Sequence, residues 1–198
     1  MNIAYRFHLL TFGVALCAIA AHGEQRAIAA TKSELTVRVY KAGVLSAFGH
    51  DHEIFAPIAG GSVDTAAHRV ELHVDASALR VRDPEASEKD RAEIQKTMLG
   101  PEVLDVEHHH EIAFRSTGAE KGGEGVWRVS GSLTVHGESR PVVVEVRERD
   151  GHYVGSARLK QSDFGIKAVK VAGGTVKVKD EIRVDFNIQL EGKEGRIP

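Results

Sequence analysis

Two short stretches carry residues able to do chemistry: Gly49-His50-Asp51-His52 and Glu107-His108-His109-His110-Glu111. Imidazole binds transition metals, moves protons near neutral pH and hydrogen-bonds to polar groups. Zinc needs three or four such ligands at ~2 Å, with one position left open where the site is catalytic. A His-x-His pair on a strand points both rings the same way, but two nitrogens are not a site. A metal reading therefore joins His50 and His52 to His108 or His110, on a segment whose adjacency the sequence does not establish. The other reading has His50 and His52 hydrogen-bonding to neighbours or to the polar end of a ligand, with the triple histidine as an exposed turn. No G-x-S-x-G elbow, P-loop, H-E-x-x-H or dinucleotide fingerprint is present. Nothing in the residues argues for an enzyme, and they call for no cofactor.

The elements that must position these histidines alternate with a period of two. Leu35, Val37 and Val39 share one face of a segment whose other face carries Thr36, Arg38 and Tyr40. Val70, Leu72 and Val74 repeat the pattern, as do Ile112 and Phe114, then Trp127, Val129, Leu133 and Val135, then Val142, Val144 and Val146. Tyr153 and Leu159 follow, and Ile182, Val184, Phe186, Ile188 and Leu190 close the series. Such alternation predicts half-buried strands, and the short turn signals between them predict antiparallel neighbours. Eight or nine strands in one meander are expected, closed as a barrel or folded as a sandwich. One segment differs: over about 84–99, Pro84, early acids and a closing Gly100-Pro101 predict a helix, with Asp83 as its cap.

By parity with Ile54, His50, His52 and Phe48 face the apolar side. His108 and His110 do the same with Ile112 and Phe114 if that strand begins early enough. Gly131, Gly155 and Ala157 also fall inward; they leave room for a ligand or mark bends of a coiled sheet. Asp180 shares parity with Val178 and Ile182, so either a bulge turns it outward or it pairs inside, because an unpaired buried charge is costly.

Arg6, an apolar run from Phe7 to Ala21 and small residues before Glu24 have the layout of a secretory signal peptide over residues 1–23. That predicts an exported protein, periplasmic or secreted, with residues 24–198 as one domain. The run is too short to span a membrane, and no later stretch is both long and apolar. Cys17 is the single cysteine, and Leu16 before it disfavours a lipid anchor. Loss of residues 1–23 removes Arg6 and no acid, taking 26 basic residues to 25 against 28 acidic ones. That balance argues against a nucleic-acid partner. An edge strand or the helix could mediate a homodimer.

The segments YKAGVLSAFGHDHEI, EIQKTMLGPEVLDVE, IAFRST, VSGSLTVHGESRPV, KQSDFGIK and GGTVKVKDEIRVDF occur in that order. Together they resemble the YceI-like family from about Leu35 to Leu190. The resemblance implies an all-β, lipocalin-like, extended antiparallel barrel of about eight strands with one short inserted helix. It also implies a binding or carrier protein for a long polyisoprenoid chain or a similar amphipathic lipid, commonly in the periplasm. On that reading Phe48, Ile54, Phe114, Trp127, Leu133, Val144, Tyr153 and Phe186 are candidates for the cavity wall. His50, His52 and Asp180 become candidates for its mouth or inner end. The chain departs from the family at His108, His109 and His110, where an aromatic followed by proline is expected, which leaves a metal-binding variation open.

Overall fold

The computed structural model describes residues 25–42, 51–167, 170–171 and 176–192. The signal-like segment, Phe48 and His50 lie outside these residues. Among the described residues twelve strands form: β1 (Gln25–Ala27), β2 (Glu34–Ala42), β3 (His52–Phe55), β4 (Ile58–Asp64), β5 (Arg69–Asp75), β6 (Arg80–Val81), β7 (Glu111–Gly123), β8 (Val126–Val135), β9 (Glu138–Arg149), β10 (His152–Lys160), β11 (Lys170–Val171) and β12 (Val176–Gln189). They belong to one antiparallel sheet ordered β1-β4-β5-β7-β8-β9-β10-β12-β2-β3-β6, with β11 against β12.

Twelve strands against an expected eight or nine has a simple cause. β2 pairs with β12 through Asn187, and beyond it Ile28 bridges Leu190 on the same edge, so β1 and β2 are two pieces of one staved position. β3 and β4 lie end to end beside them, pairing β2 and β1 respectively. β6 and β5 do the same one position further on. Three positions are thus broken in two, and with β7, β8, β9, β10 and β12 they make an eight-position ring plus the short β11. Each break is a kink that lets a sheet curl tightly enough to close.

The inward parity is that of the sequence. Leu35 faces Phe186, Val37 faces Val184 and Val39 faces Ile182 across β2 and β12. Leu72, Phe114 and Leu133 line up across β5, β7 and β8. Outside, Arg38 spans Glu53 at 2.6 Å and Asp185 at 3.1 Å, a solvated ion-pair row of small energetic weight.

The helix α1 (Glu88–Leu99) starts later than expected, capped by Ser87, whose hydroxyl oxygen accepts from the Asp90 amide at 3.2 Å. Asp83 is not its cap. Gln95 ties α1 to the sheet, accepting from the Val81 amide and donating to the Leu79 carbonyl, both at 2.8 Å. Its buried Met98 joins Leu79, Leu104, Phe164 and Ile166 in a cluster that closes one end of the barrel.

Gly131 and Gly155 do not leave open space. A methyl on Gly131 would lie 2.5 Å from the Phe114 ring, and one on Gly155 would lie 2.5 Å from the Phe186 ring. Each glycine is the seat for an aromatic ring from the neighbouring strand, which makes ring and glycine together one filled position. Gly131→Ala should therefore lower the unfolding free energy by about 1–3 kcal/mol, the usual range for overpacking. Chemical denaturation reads this directly, and an unchanged midpoint would contradict the packing.

Candidate functional site

Bulky inward residues on eight positions, with one end plugged, leave a hollow of about 400 Å³ along the barrel axis. Ile54, Phe114, Trp127, Leu133, Val144, Tyr153, Phe186 and Ala157 line it. Met98, Leu104, Phe164 and Ile166 form its floor beside α1. At the opposite end the lining turns polar, with Asp64, Thr65, His68 and Arg69 from the β4–β5 turn and Glu148 from the end of β9. These rim residues are mostly exposed, and the His68 ring lies 5.1 Å from that of Trp127. Burial pushes the Tyr153 phenol above its ordinary value, and Glu148 adds to the shift, as expected of a hydroxyl beside a dry, apolar space. The sequence alone did not single out the rim, because a polar turn between two strands has the same composition whether or not a cavity opens beneath it.

The polar candidates are placed differently. His52 is not in the cavity lining: its Nδ1 lies 2.6 Å from Oδ2 of Asp83, whose other oxygen accepts from the Glu53 amide at 2.6 Å. Asp83 is 2% exposed, so this carboxylate works as an internal clasp between β3 and the segment after β6. Asp180 is not in the lining either. The pairing of β12 with β2 shifts register between Val178 and Ile182, and this bulge hands the carboxylate to Ser162, which donates its amide at 2.8 Å and its hydroxyl at 2.7 Å. The Ser162 hydroxyl, then its amide, hold Asp180 below its ordinary carboxylate range.

The triple histidine corrects the parity argument. β7 begins at Glu111, and residues 105–110 still belong to a turn in which the Asp105 carbonyl accepts from the amides of His108 and His109. His108 and His110 are consequently exposed, while His109 is half-buried and packs edge-on against His136, ring centres 4.7 Å apart. His108 donates from Nδ1 to both Asp105 oxygens, at 2.9 and 3.0 Å. This contact raises the His108 pKa and lowers that of Asp105. His52 and His108 are thus committed to different carboxylates, Asp83 and Asp105, while His50 lies outside the described residues. Among the described residues, the group that comes close enough to hold a metal ion is Asp105, His109 and His136.

A continuous antiparallel wall around an apolar hollow, floored by a helix and rimmed by polar residues, defines a β-barrel whose interior is consistent with binding a hydrophobic ligand. The YceI-like domain matches residues 27–190, and the chain belongs to that family. A UPF0312 protein of Vibrio cholerae is 28% identical over 131 residues, 61% of this chain and 63% of that one. A UPF0312 protein of Pseudomonas savastanoi is 32% identical over 111 residues, 51% of this chain and 54% of the relative. The chain therefore aligns with somewhat less than two thirds of these relatives' length. Among solved structures, BcnA of Burkholderia cenocepacia superposes with a TM-score of 0.60 at 17% identity, over 81% of this chain and 98% of that one, a likeness of fold.

Because His52 serves the Asp83 clasp, His52→Ala should destabilise the fold by about 1.5–3 kcal/mol, the range for a hydrogen bond to a charged group. Affinity for an apolar ligand should stay within about twofold of the parent. A large loss of affinity at unchanged stability would return His52 to the binding site.

Proposed function

We propose that this chain is an exported carrier, not an enzyme, that encloses a long polyisoprenoid or a similar amphipathic lipid in its barrel. The observation that carries the reading is the polarity gradient along the hollow: apolar from the Phe164 floor to Trp127 apart from Gln161, whose side-chain amide donates to the Lys179 carbonyl, then charged at Asp64, Arg69 and Glu148. An apolar chain enters tail first, and its head group stays at the rim. Burying ~20 methylene equivalents at ~0.8 kcal/mol each supplies roughly 16 kcal/mol before costs. Ordering a flexible chain and losing its free motion remove a large part of that. Enough remains for tight binding without a single hydrogen bond, which is why such a carrier needs no catalytic motif.

The signal-like residues 1–23 support export, and membership of the YceI-like family supports a binding role. No helix among the described residues is long and apolar enough to cross a membrane.

The test is a titration with a fluorescent polyene fatty acid, followed by displacement with a polyprenol. Saturable binding at about micromolar concentration or below is expected, which corresponds to at least ~8 kcal/mol. Ala157→Phe places a ring in the hollow and should weaken binding at least tenfold while the barrel stays folded. Absence of saturable uptake, or equal affinity in the variant, contradicts the proposal.

A further inference from the structure

The floor of the barrel holds a second constellation that lipid carriage does not use. Asp105 lies in the turn after α1, His109 four residues on, and His136 in the β8–β9 hairpin turn. One ligand atom from each falls within 4.8 Å of the other two, and all three side chains are half-buried. We propose that Asp105, His109 and His136 form a binding site for a divalent transition-metal ion, with zinc the best-matched metal.

Three features of the arrangement support this. First, His136 Nδ1 lies 3.2 Å from the Phe164 carbonyl oxygen, which can only accept. Nδ1 therefore carries the proton, and in the neutral ring Nε2 keeps a lone pair. A ring nitrogen fixed on a backbone carbonyl is the usual outer support of a metal-bound histidine. Second, the Asp105 carboxylate is oriented by His108, which bonds both of its oxygens. An outer hydrogen bond of this kind holds a ligating carboxylate in place. Third, His109 reaches the cluster across Gly137, where a methyl group would come within 2.6 Å of its Cε1. Gly137 has φ +75°, so the hairpin turn is suited to glycine twice over, by conformation and by the close approach of the imidazole.

The donor set decides the metal class. Two imidazoles and one carboxylate suit zinc, copper(II), nickel or iron(II) and do not suit calcium or magnesium, which prefer all-oxygen shells. Metal–ligand bonds of about 2.0–2.1 Å place tetrahedral ligand atoms roughly 3.3–3.4 Å apart, so modest side-chain rotation completes the shell. Three protein ligands leave a fourth position for water.

The site has a structural consequence for the cavity. Leu104 precedes Asp105, Val135 precedes His136, and Phe164 supplies the carbonyl behind His136; all three line the hollow. A bound ion joins the turn after α1 to the β8–β9 hairpin directly beneath the floor, so metal loading stiffens the closed end of the barrel.

The test uses the full chain without an affinity tag, stripped with a chelator and dialysed against zinc alone. Elemental analysis should return close to one zinc per chain, and saturation should raise the thermal midpoint by several degrees. Cobalt(II) in place of zinc should give the visible bands of a four-coordinate site. His109→Gln and Asp105→Asn, each confirmed as folded in the metal-free state, should each weaken zinc binding at least tenfold and abolish the thermal shift, whereas His73→Ala should change neither. Less than about a tenth of an equivalent bound by the parent, or undiminished binding in both ligand variants, overturns the site. Lipid uptake is read separately, so failure here leaves the carrier proposal standing.

Discussion

The structure depends on closing the backbone hydrogen-bond ring of a sheet whose strands are broken. An unpaired amide or carbonyl inside the wall is costly, so every kink has to be satisfied by something. At the β1–β2 break the ring is completed by backbone bonds from Ala29 to Gln189 and from Glu191 to Ala27, each 2.8 Å. In the gap between them, the Gln189 amide donates to the hydroxyl of buried Ser33 at 2.9 Å. Asp83 performs the same service for the Glu53 amide, Gln95 for the Val81 amide, Ser116 for the Val70 amide and Asp180 for the Ser162 amide. Backbone carbonyls serve at other points of the breaks, accepting from the Ala56 amide at Leu35 and from the Ala76 amide at His110, each at 2.9 Å. Together these backbone and side-chain acceptors let three of the eight positions bend without opening the wall.

Curvature and hollow follow from the same economy. A ring of eight positions is just wide enough to be filled by its own side chains or to hold one small ligand. Here Phe114 and Phe186 lie back against Gly131 and Gly155, in recesses of the wall, instead of meeting at the axis. The space left is bounded chiefly by aliphatic side chains and aromatic rings, with Gln161 at the floor, and it is closed by α1 and the turns around Leu104 and Phe164. Polar groups are confined to the ends: a charged rim on one side and the Asp105, His109 and His136 cluster beneath the floor on the other.

Much of this architecture was legible in the residues. Period-two alternation placed Ile54, Phe114, Trp127, Leu133, Val144, Tyr153 and Phe186 inside, because hydrophobic parity survives even where a strand is kinked. A count of about eight positions was legible for the same reason, whereas their closure into a barrel rested on the family resemblance; the three breaks were not legible, since a kink satisfied by Ser33 or Gln95 leaves no mark in the apolar pattern. Asp83 followed by Pro84 resembles a helix start, yet its carboxylate is claimed by His52 and the Glu53 amide, and the cap falls to Ser87. Parity also failed at the triple histidine, because it presumes an extended backbone and residues 105–110 turn. The middle ring, His109, was thereby brought to His136, a partner 27 positions away that no local pattern announces.

The central claim is that an apolar hollow enclosed by this wall is a seat for a long apolar molecule. It is tested most directly by purifying the chain from its own cells under mild conditions and weighing it intact by native mass spectrometry, then extracting it with organic solvent. The account predicts a discrete added mass that leaves with the solvent as one long-chain amphipathic molecule per barrel. Protein recovered repeatedly at its bare mass, and unable to take up any such molecule when offered, would contradict it.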